Sequence, residues 1–558
     1  MAEYPATAPA TTPSPVSPRS ATTLSQTIVR GSPRRSGRRG AYRRLVLGRG
    51  EPRLVHPEAQ TSTLGRGARS LLRLVHLSDL QLADVESPGR FEFFQELAGL
   101  PGSGAFVPAQ RPQEALAVFS CEVMARTLRR LGESPDTGAP LRLALSTGDN
   151  IDNAQENELA MFIALCSGGV VNPRSGAPSY EGVQSPNWPN PLYWHPDPGE
   201  DNFKTDWGFP ELPGLIEQAS APFEAVGFGV PWLSCFGNHD GLVLGTAIPT
   251  PEYSDLVVGA RKAIAAPDGP DLLSREAELL SHPERLLTGP ARAVTPDSRR
   301  RIVGRAEFVA AHLAAAGLPL GHGYSEANVA SETAYSVVDD FDGIRLVLLD
   351  TTNLDGYHHG SVGRRQMRWL EERLIEVHSR FRDADGKILT TRHADRLVVL
   401  ASHHGFATLS NTRQDPAGAE DDHPRATSEE VRALLHRFGN VVLWLNGHRH
   451  IHEVTLWPSP FDATSGIWEV STASMSDWPC QARVVEIVAG SDGTLSIVST
   501  VIDHAADPDP DRAEALERLA SLHRELAAND PDVRPGKQPS GDAKDRNVEL
   551  VMRAPFVD

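Results

Sequence analysis

Short apolar runs separated by polar turns recur through the middle of the chain. Ten of them have the length and β-branched content of buried strands: LLRLVHL (71–77), LRLALS (141–146), VPWLSCF (230–236), AYSVV (334–338), IRLVLLD (344–350), RLVVLAS (396–402), NVVLWL (440–445), IWEVSTA (467–473), ARVVEIV (482–488) and TLSIVSTVI (494–502). Helical periodicity lies between them. In GRRQMRWLEERLIEVHSRF, Met367, Leu370, Leu374, Val377 and Phe381 repeat at three- and four-residue steps, which lines one helix face with apolar side chains. RPQEALAVFSCEVMARTLRRLG and DRAEALERLASLHRELA predict two more helices. Alternating strands and helices point to an α/β protein.

Two stretches break this rhythm. Residues 154–229 are rich in Pro, Gly and Trp, and residues 241–330 read as mostly helical (RKAIAA, SREAELLSHPERLL, GRAEFVAAHLAAAG). Both are expected as insertions in one catalytic domain spanning 61–510. The tryptophans of the first either cover a site or only pin a long loop to the core; long structured loops favour function. Residues 1–60 are expected as a largely flexible basic tail, because Pro, Ala, Thr and Ser fill its first half and arginines crowd its second. Export by another route and docking to an anionic surface are the other uses such a tail suggests. Residues 511–558 are expected as a helix and a polar tail.

Composition narrows the partners. The chain has 558 residues and a net charge of -18, which speaks against a general nucleic-acid binder. Its four cysteines form no CxxC pair, so a thiolate zinc site is not expected. No apolar run approaches the ~18 residues of a membrane span. Arg34-Arg35 and Arg38-Arg39 are succeeded by more arginines rather than an apolar core, so no export signal is read and a cytoplasmic location is expected.

The chemistry lies at the ends of the apolar runs. LLRLVHL is followed by Asp79 and Gln81, LRLALS by Asp149 and Asp152, and VPWLSCF by Asn238, His239 and Asp240. RLVVLAS is followed by His403-His404, and NVVLWL by His448 and His450. Sites in open α/β sheets form beyond the carboxyl ends of strands, so five such ends can converge. In an extended chain residues i and i+2 point the same way, which would present Asp79 with Gln81, and His448 with His450, on one side. Carboxylate, imidazole and amide oxygen together suit Mn, Fe, Zn or Co. They are too many for one tetrahedral ion, and two metals ~3.5–4 Å apart fit better.

The ordered set D-x-Q, GDxxD, GNHD, HH and GHxH resembles the calcineurin-like metallophosphoesterase superfamily, whose first motif normally reads D-x-H. The segment LLDTTNLDGYHHGSVGRRQMRWLEERL, with its Gln-x-x-Trp-Leu helix, is also similar. SDLQLADVESPGRFEFF and the length resemble an uncharacterised actinobacterial branch of that superfamily. The resemblance implies a four-layer α/β/β/α sandwich of two mixed sheets flanked by helices. It implies two metal ions (Mn, Fe or Zn) and a phosphoester substrate. Asp79 would hold the first metal, with Gln81 in the place of the usual histidine and His450 returning to it. Asp149 would bridge, and Asn238, His403 and His448 would hold the second metal. His239 would be the catalytic histidine over the phosphate, paired with and oriented by Asp152. A hydroxide held by the metals would attack phosphorus, and His239 would assist the leaving alkoxide.

Gln81 departs from the pattern. An amide oxygen is neutral and weaker than imidazole, so it binds directly, through water, or not at all. It also keeps open a protein of the same fold that only holds metal or senses a phosphate ligand. Arg449 is either a phosphate contact or a solvated arginine. His358-His359 reads as incidental, and His452 as a surface or locally packed residue. Monoester and diester both remain open.

Overall fold

The computed structural model describes residues 22–60, 67–98, 107–267, 281–415, 418–419, 422–531 and 538–555. The strands of the body are β1 (Gln26–Ser36), β2 (Ala41–Arg49), β3 (Leu54–Val55), β4 (Arg69–Leu77), β5 (Leu143–Ser146), β6 (Trp232–Ser234), β7 (Ser336–Phe341), β8 (Ile344–Leu348), β9 (Leu397–Ala401), β10 (Val441–Asn446), β11 (Glu453–Pro458), β12 (Gly466–Ser471), β13 (Gln481–Ala489), β14 (Thr494–Asp503) and β15 (Val548–Arg553). Seven form one sheet in the order β3-β15-β14-β13-β4-β5-β6, and six form a second in the order β7-β8-β9-β10-β12-β11. Both are mixed: β4, β5 and β6 run parallel, as do β8, β9, β10 and β12, while antiparallel strands complete each sheet.

Strand alternation explains how the sheets stack. Leu72 and Leu74 of β4 enter the same buried cluster as Leu346 and Leu348 of β8 and Leu443 and Leu445 of β10. The intervening Val75 and Leu77 face the opposite way, onto helices α1 (Ala117–Arg130) and α2 (Glu156–Ser167). Val347 and Trp444 likewise turn outward against Leu370 and Leu374 of α3 (Arg364–Ile375) and Val431 and Leu435 of α4 (Ser428–Leu435). Side chains alternate faces along a strand, so strands apolar on both faces sit between a sheet and a helix layer. The four layers are helix, sheet, sheet, helix, as the resemblance implied.

Both termini are more ordered than their composition suggested. Residues 26–49, expected within a flexible tail, form an antiparallel hairpin with register shifts near Pro33. Tyr42 and Leu45 are buried, and Asn529 of α5 (Ala515–Asn529) accepts from the Arg43 backbone N–H at 2.7 Å. The shifts break the period-two alternation that would have announced the strands. Residues 1–21 lie outside the described residues. At the other end β15, expected as polar tail, is an interior strand between β3 and β14.

The insertions pack onto the body. Trp194 is fully buried, its indole N–H donating to Pro210 O at 3.1 Å. Trp188 lies under the Arg292 guanidinium, 4.1 Å from the ring centre. These two tryptophans pin the first insertion in place. In the second, Pro251–Val257 and Arg305–Ala314 are helical. Arg261–Ala263, expected as helix, is instead a short strand paired with Ala291–Ala293, and 268–280 lie outside the described residues. Among the described residues no helix is long and apolar enough to cross a membrane.

Candidate metal centre

The parallel strands of the two sheets end at one place. His403, just past β9, donates from Nδ1 to Thr147 O at 2.9 Å, just past β5 in the other sheet. Asp79 N donates to Gly148 O at 3.1 Å, and Gly447 N to His403 O at 3.1 Å. The five motifs thus form one cluster at the carboxyl ends of strands from both sheets.

Asp79, Asp149 and His403 bring potential ligand atoms within 4.8 Å of one another. His403 Nε2 lies 3.0 Å from Asp149 Oδ2 and 4.0 Å from Asp79 Oδ1. His448 Nδ1 is 3.2 Å from His403 Nε2. His450 Nε2 is 3.2 Å from Asp79 Oδ1. Asn238 gives its amide N–H to Gly245 O at 2.9 Å, and its buried Oδ1 has no hydrogen-bond partner among the described residues. A buried carbonyl oxygen without a donor is costly, and this one is a hard ligand atom on the residue before His239, whose backbone N–H donates to Asp149 Oδ1 at 2.9 Å. Carboxylate, imidazole and amide oxygen together fit borderline divalent or trivalent cations.

The backbone carries strain at these positions. Asp79, Gln81, Asp149, His448 and His450 all have positive φ, between 43° and 67°. Left-handed backbone costs a non-glycine residue on the order of 1 kcal/mol or more and marks functional turns. The expectation that Asp79/Gln81 and His448/His450 present two ligands from extended chain is therefore corrected. Each strand turns sharply at its end, and His448 and His450 part company. His448 meets His403, whereas His450 reaches Asp79 and, through Nδ1, Asp477 Oδ2 at 2.6 Å. Gly237 sits where a Cβ would collide with Asp149, so that turn requires glycine.

Of the adjacent histidines, His403 presents a ring nitrogen to the cluster. His404 uses both of its own: Nε2 donates to His358 O at 2.9 Å, and Nδ1 lies 3.0 Å from Thr351 Oγ1. Burial alone would lower the His403 and His450 imidazoles, but Asp149 beside the first and Asp79 beside the second raise each to about 9. Asp79 is held at about 2: burial opposes ionisation, and His450 and His403 overcome it.

Gln81 is buried, and its Oε1 accepts from Ser476 Oγ at 3.0 Å. One lone pair of that oxygen is already used. His239 donates from Nδ1 to the backbone carbonyl of Asp152 at 2.7 Å, with the Asp152 carboxylate at 3.6 Å. Asp152 was expected to pair with His239 and orient it. Its backbone carbonyl makes the hydrogen bond, and its carboxylate also faces Arg90, 2.5 Å from Nη1. Arg449 is paired with Glu453. His452 is fully buried, hydrogen-bonded to Arg483 at 2.9 Å. His358, read as incidental, lies beside the cluster: its ring is 6.1 Å from that of His448.

The main residue missed from the sequence is Asp477. It joins His450 to Arg111, whose Nε is 2.7 Å from Asp477 Oδ1. Despite burial, Arg111 and His450 hold its carboxyl well below the usual range. The signal was present: Asp477 comes after IWEVSTA, another run that forms a parallel strand, β12. Arg90 and Glu114, 2.7 Å apart, complete a buried ionic network behind Asp152. Burial, opposed only in part by Arg90, raises Glu114 to about 7.

No family model and no curated protein sequence matches the chain. Among solved structures, the chain is similar to a dimetal phosphatase from Danio rerio, at 11% identity and a TM-score of 0.36, over 78% of this chain and all of that one. It is also similar to a Staphylococcus aureus protein provisionally assigned as a 5'-nucleotidase and solved with alpha-ketoglutarate, at 14% identity and a TM-score of 0.19, over 34% of this chain and 33% of that one. Identities and scores this low assign no chemistry; the donor set does more.

Proposed function

We propose that the chain hydrolyses a phosphoester, mono- or diester, with two metal ions held by Asp79, Asp149, Asn238, His403, His448 and His450, and Gln81 at the edge. The observation that carries this reading is the Asn238 Oδ1: a buried amide oxygen without a protein donor among the described residues, on the residue before His239, whose backbone N–H donates to Asp149 Oδ1 at 2.9 Å. Mn, Fe and Zn suit such donors. When bound, paired cations lower the pKa of water and neutralise charge on the phosphoryl oxygens.

The chain's own groups supply the rest. His403 and His450 are each braced at Nδ1, by Thr147 O and Asp477, which leaves Nε2 to face the cluster; such outer partners fix ring and tautomer. His239 is braced the same way by the Asp152 carbonyl. Its Nε2, 4.0 Å from Asp149 Oδ2, is free to hold a proton for the leaving alkoxide. Gln81 favours the second reading, a protein that binds metal or a phosphate ligand without turnover. The braced His239 favours turnover, since holding metal does not need it.

The test is hydrolysis of a chromogenic phosphomonoester and a phosphodiester by metal-stripped protein reloaded with Mn, Fe or Zn. Metal-dependent turnover, lost in Asp149→Ala and His239→Ala, is the expected outcome. Tight metal binding with no turnover on either ester would instead establish the degenerate site.

A further inference from the structure

We propose that the arginine-rich hairpin of β1 and β2 is a docking surface for an anionic lipid bilayer. Between Gln26 and Arg49 there are eight arginines and no acidic residue, on a chain whose net charge is -18. All eight arginines are exposed. Arg34 pairs with Asp511 and Arg39 with Asp206. Arg35, Arg38, Arg44 and Arg49 make no ion pair with a described residue. The basic charge is therefore segregated on one small element and left largely uncompensated, which draws it to an anionic surface.

The apolar residues decide what kind of surface. Val29 and Val46 lie opposite each other across the strands, and they are 39% and 41% exposed, with Leu47 at 55%. Half of the ten exposed large hydrophobics among the described residues fall between Val29 and Val55. Aliphatic side chains among arginines suit the boundary between headgroups and acyl chains. A nucleic-acid platform would offer exposed aromatic rings for base stacking. The one aromatic of the hairpin, Tyr42, is instead buried edge-on against Phe209, with ring centres 5.1 Å apart.

The surface is preformed. Ile28 and Leu45 pack with Ala528 and Trp478, and Asn529 grips both polar groups of the Arg43 backbone, at 2.7 and 2.8 Å. Little conformational entropy is left to lose on docking. Arg30 lies over the Trp478 ring, 5.7 Å from its centre. Trp478 is the neighbour of Asp477, which holds His450, so the docking face adjoins the candidate metal centre. The proposal stands whether or not that centre turns over.

The experiment is co-sedimentation of the full chain with vesicles of phosphatidylcholine, alone or with about 30% phosphatidylglycerol. The expected result is binding to the anionic vesicles only, falling as salt rises from about 50 to about 500 mM. Arg35→Ser, Arg38→Ser, Arg44→Ser and Arg49→Ser together lower the partition coefficient by about fivefold per arginine. These side chains hold no described partner, so the melting temperature stays that of the unaltered chain. Val46→Ser with Leu47→Ser weakens vesicle binding but not binding to duplex DNA. Equal binding to neutral vesicles, equal binding by the arginine variant, or tighter binding to duplex DNA than to anionic vesicles at matched phosphate overturns the proposal.

Discussion

Asp477→Asn isolates the outer support of the centre with the smallest change of shape. Asp477 Oδ2 accepts from His450 Nδ1 at 2.6 Å, and Oδ1 faces Arg111 Nε at 2.7 Å and Gln113 Nε2 at 3.3 Å. Both oxygens are acceptors facing donors. An asparagine must turn its NH2 group toward one side. Turned toward Arg111, it sets donor against donor. Turned toward His450, it forces the proton from Nδ1 to Nε2, and a protonated Nε2 cannot take a metal. Either arrangement leaves about one buried hydrogen bond unmade, worth about 1–3 kcal/mol. That corresponds to roughly 5–150-fold in affinity, which brackets the roughly 10–100-fold seen when an outer partner of a metal histidine is lost. The assay is competition of the loaded protein against a chromogenic chelator, which reads metal affinity without needing turnover. A drop of about tenfold to a hundredfold in the more weakly held metal is expected. Affinity equal to that of the unaltered chain, with the fold intact, would refute the claim that Asp477 fixes His450.

Asp152→Asn keeps the backbone carbonyl that holds His239, so it should cost less turnover than His239→Ala. It still weakens the pairing of buried Arg90, which retains Glu114 at 2.7 Å, so urea denaturation should show a loss of about 2–3 kcal/mol, short of the full cost of a broken buried pair. Gln81→His restores an imidazole next to Ser476 and should tighten one of the two metals; unchanged chelator competition would place Gln81 outside the coordination sphere. Trp194→Ala empties a fully buried pocket and should cost about 3–5 kcal/mol by denaturation, while metal stoichiometry stays unchanged if its role is only to pin the insertion.

Most strands of the two sheets were legible because they are short, apolar and bounded by turns, and because Asp, Asn and His recur at the carboxyl ends of those runs; their division into two sheets was implied only by the resemblance. Local pattern is enough for the strands and their end residues, since a parallel strand buried on two faces has to be apolar throughout. The hairpin at Gln26–Arg49 was not legible, because register shifts near Pro33 erase the alternation and arginines dominate the composition. β15 was hidden for another reason: its six residues come after a polar stretch, and Val548, Leu550 and Met552 gain their burial from the cluster between the two sheets.

At the site, residue types and order along the chain were set by the sequence alone, from Asp79 through His450. Which of them meet depended on the tertiary structure. The choice of His403 over His404 rests on Thr351 and the His358 carbonyl, both brought from another loop. The parting of His448 from His450 rests on left-handed turns that only the packed strand ends impose. Asp477 became visible as the support of His450 once β12 was seen to run parallel to β10. Local sequence encodes which donors a strand end carries. The distances between those ends come from two sheets packing face to face, an interaction spread over hundreds of residues and written in no single motif.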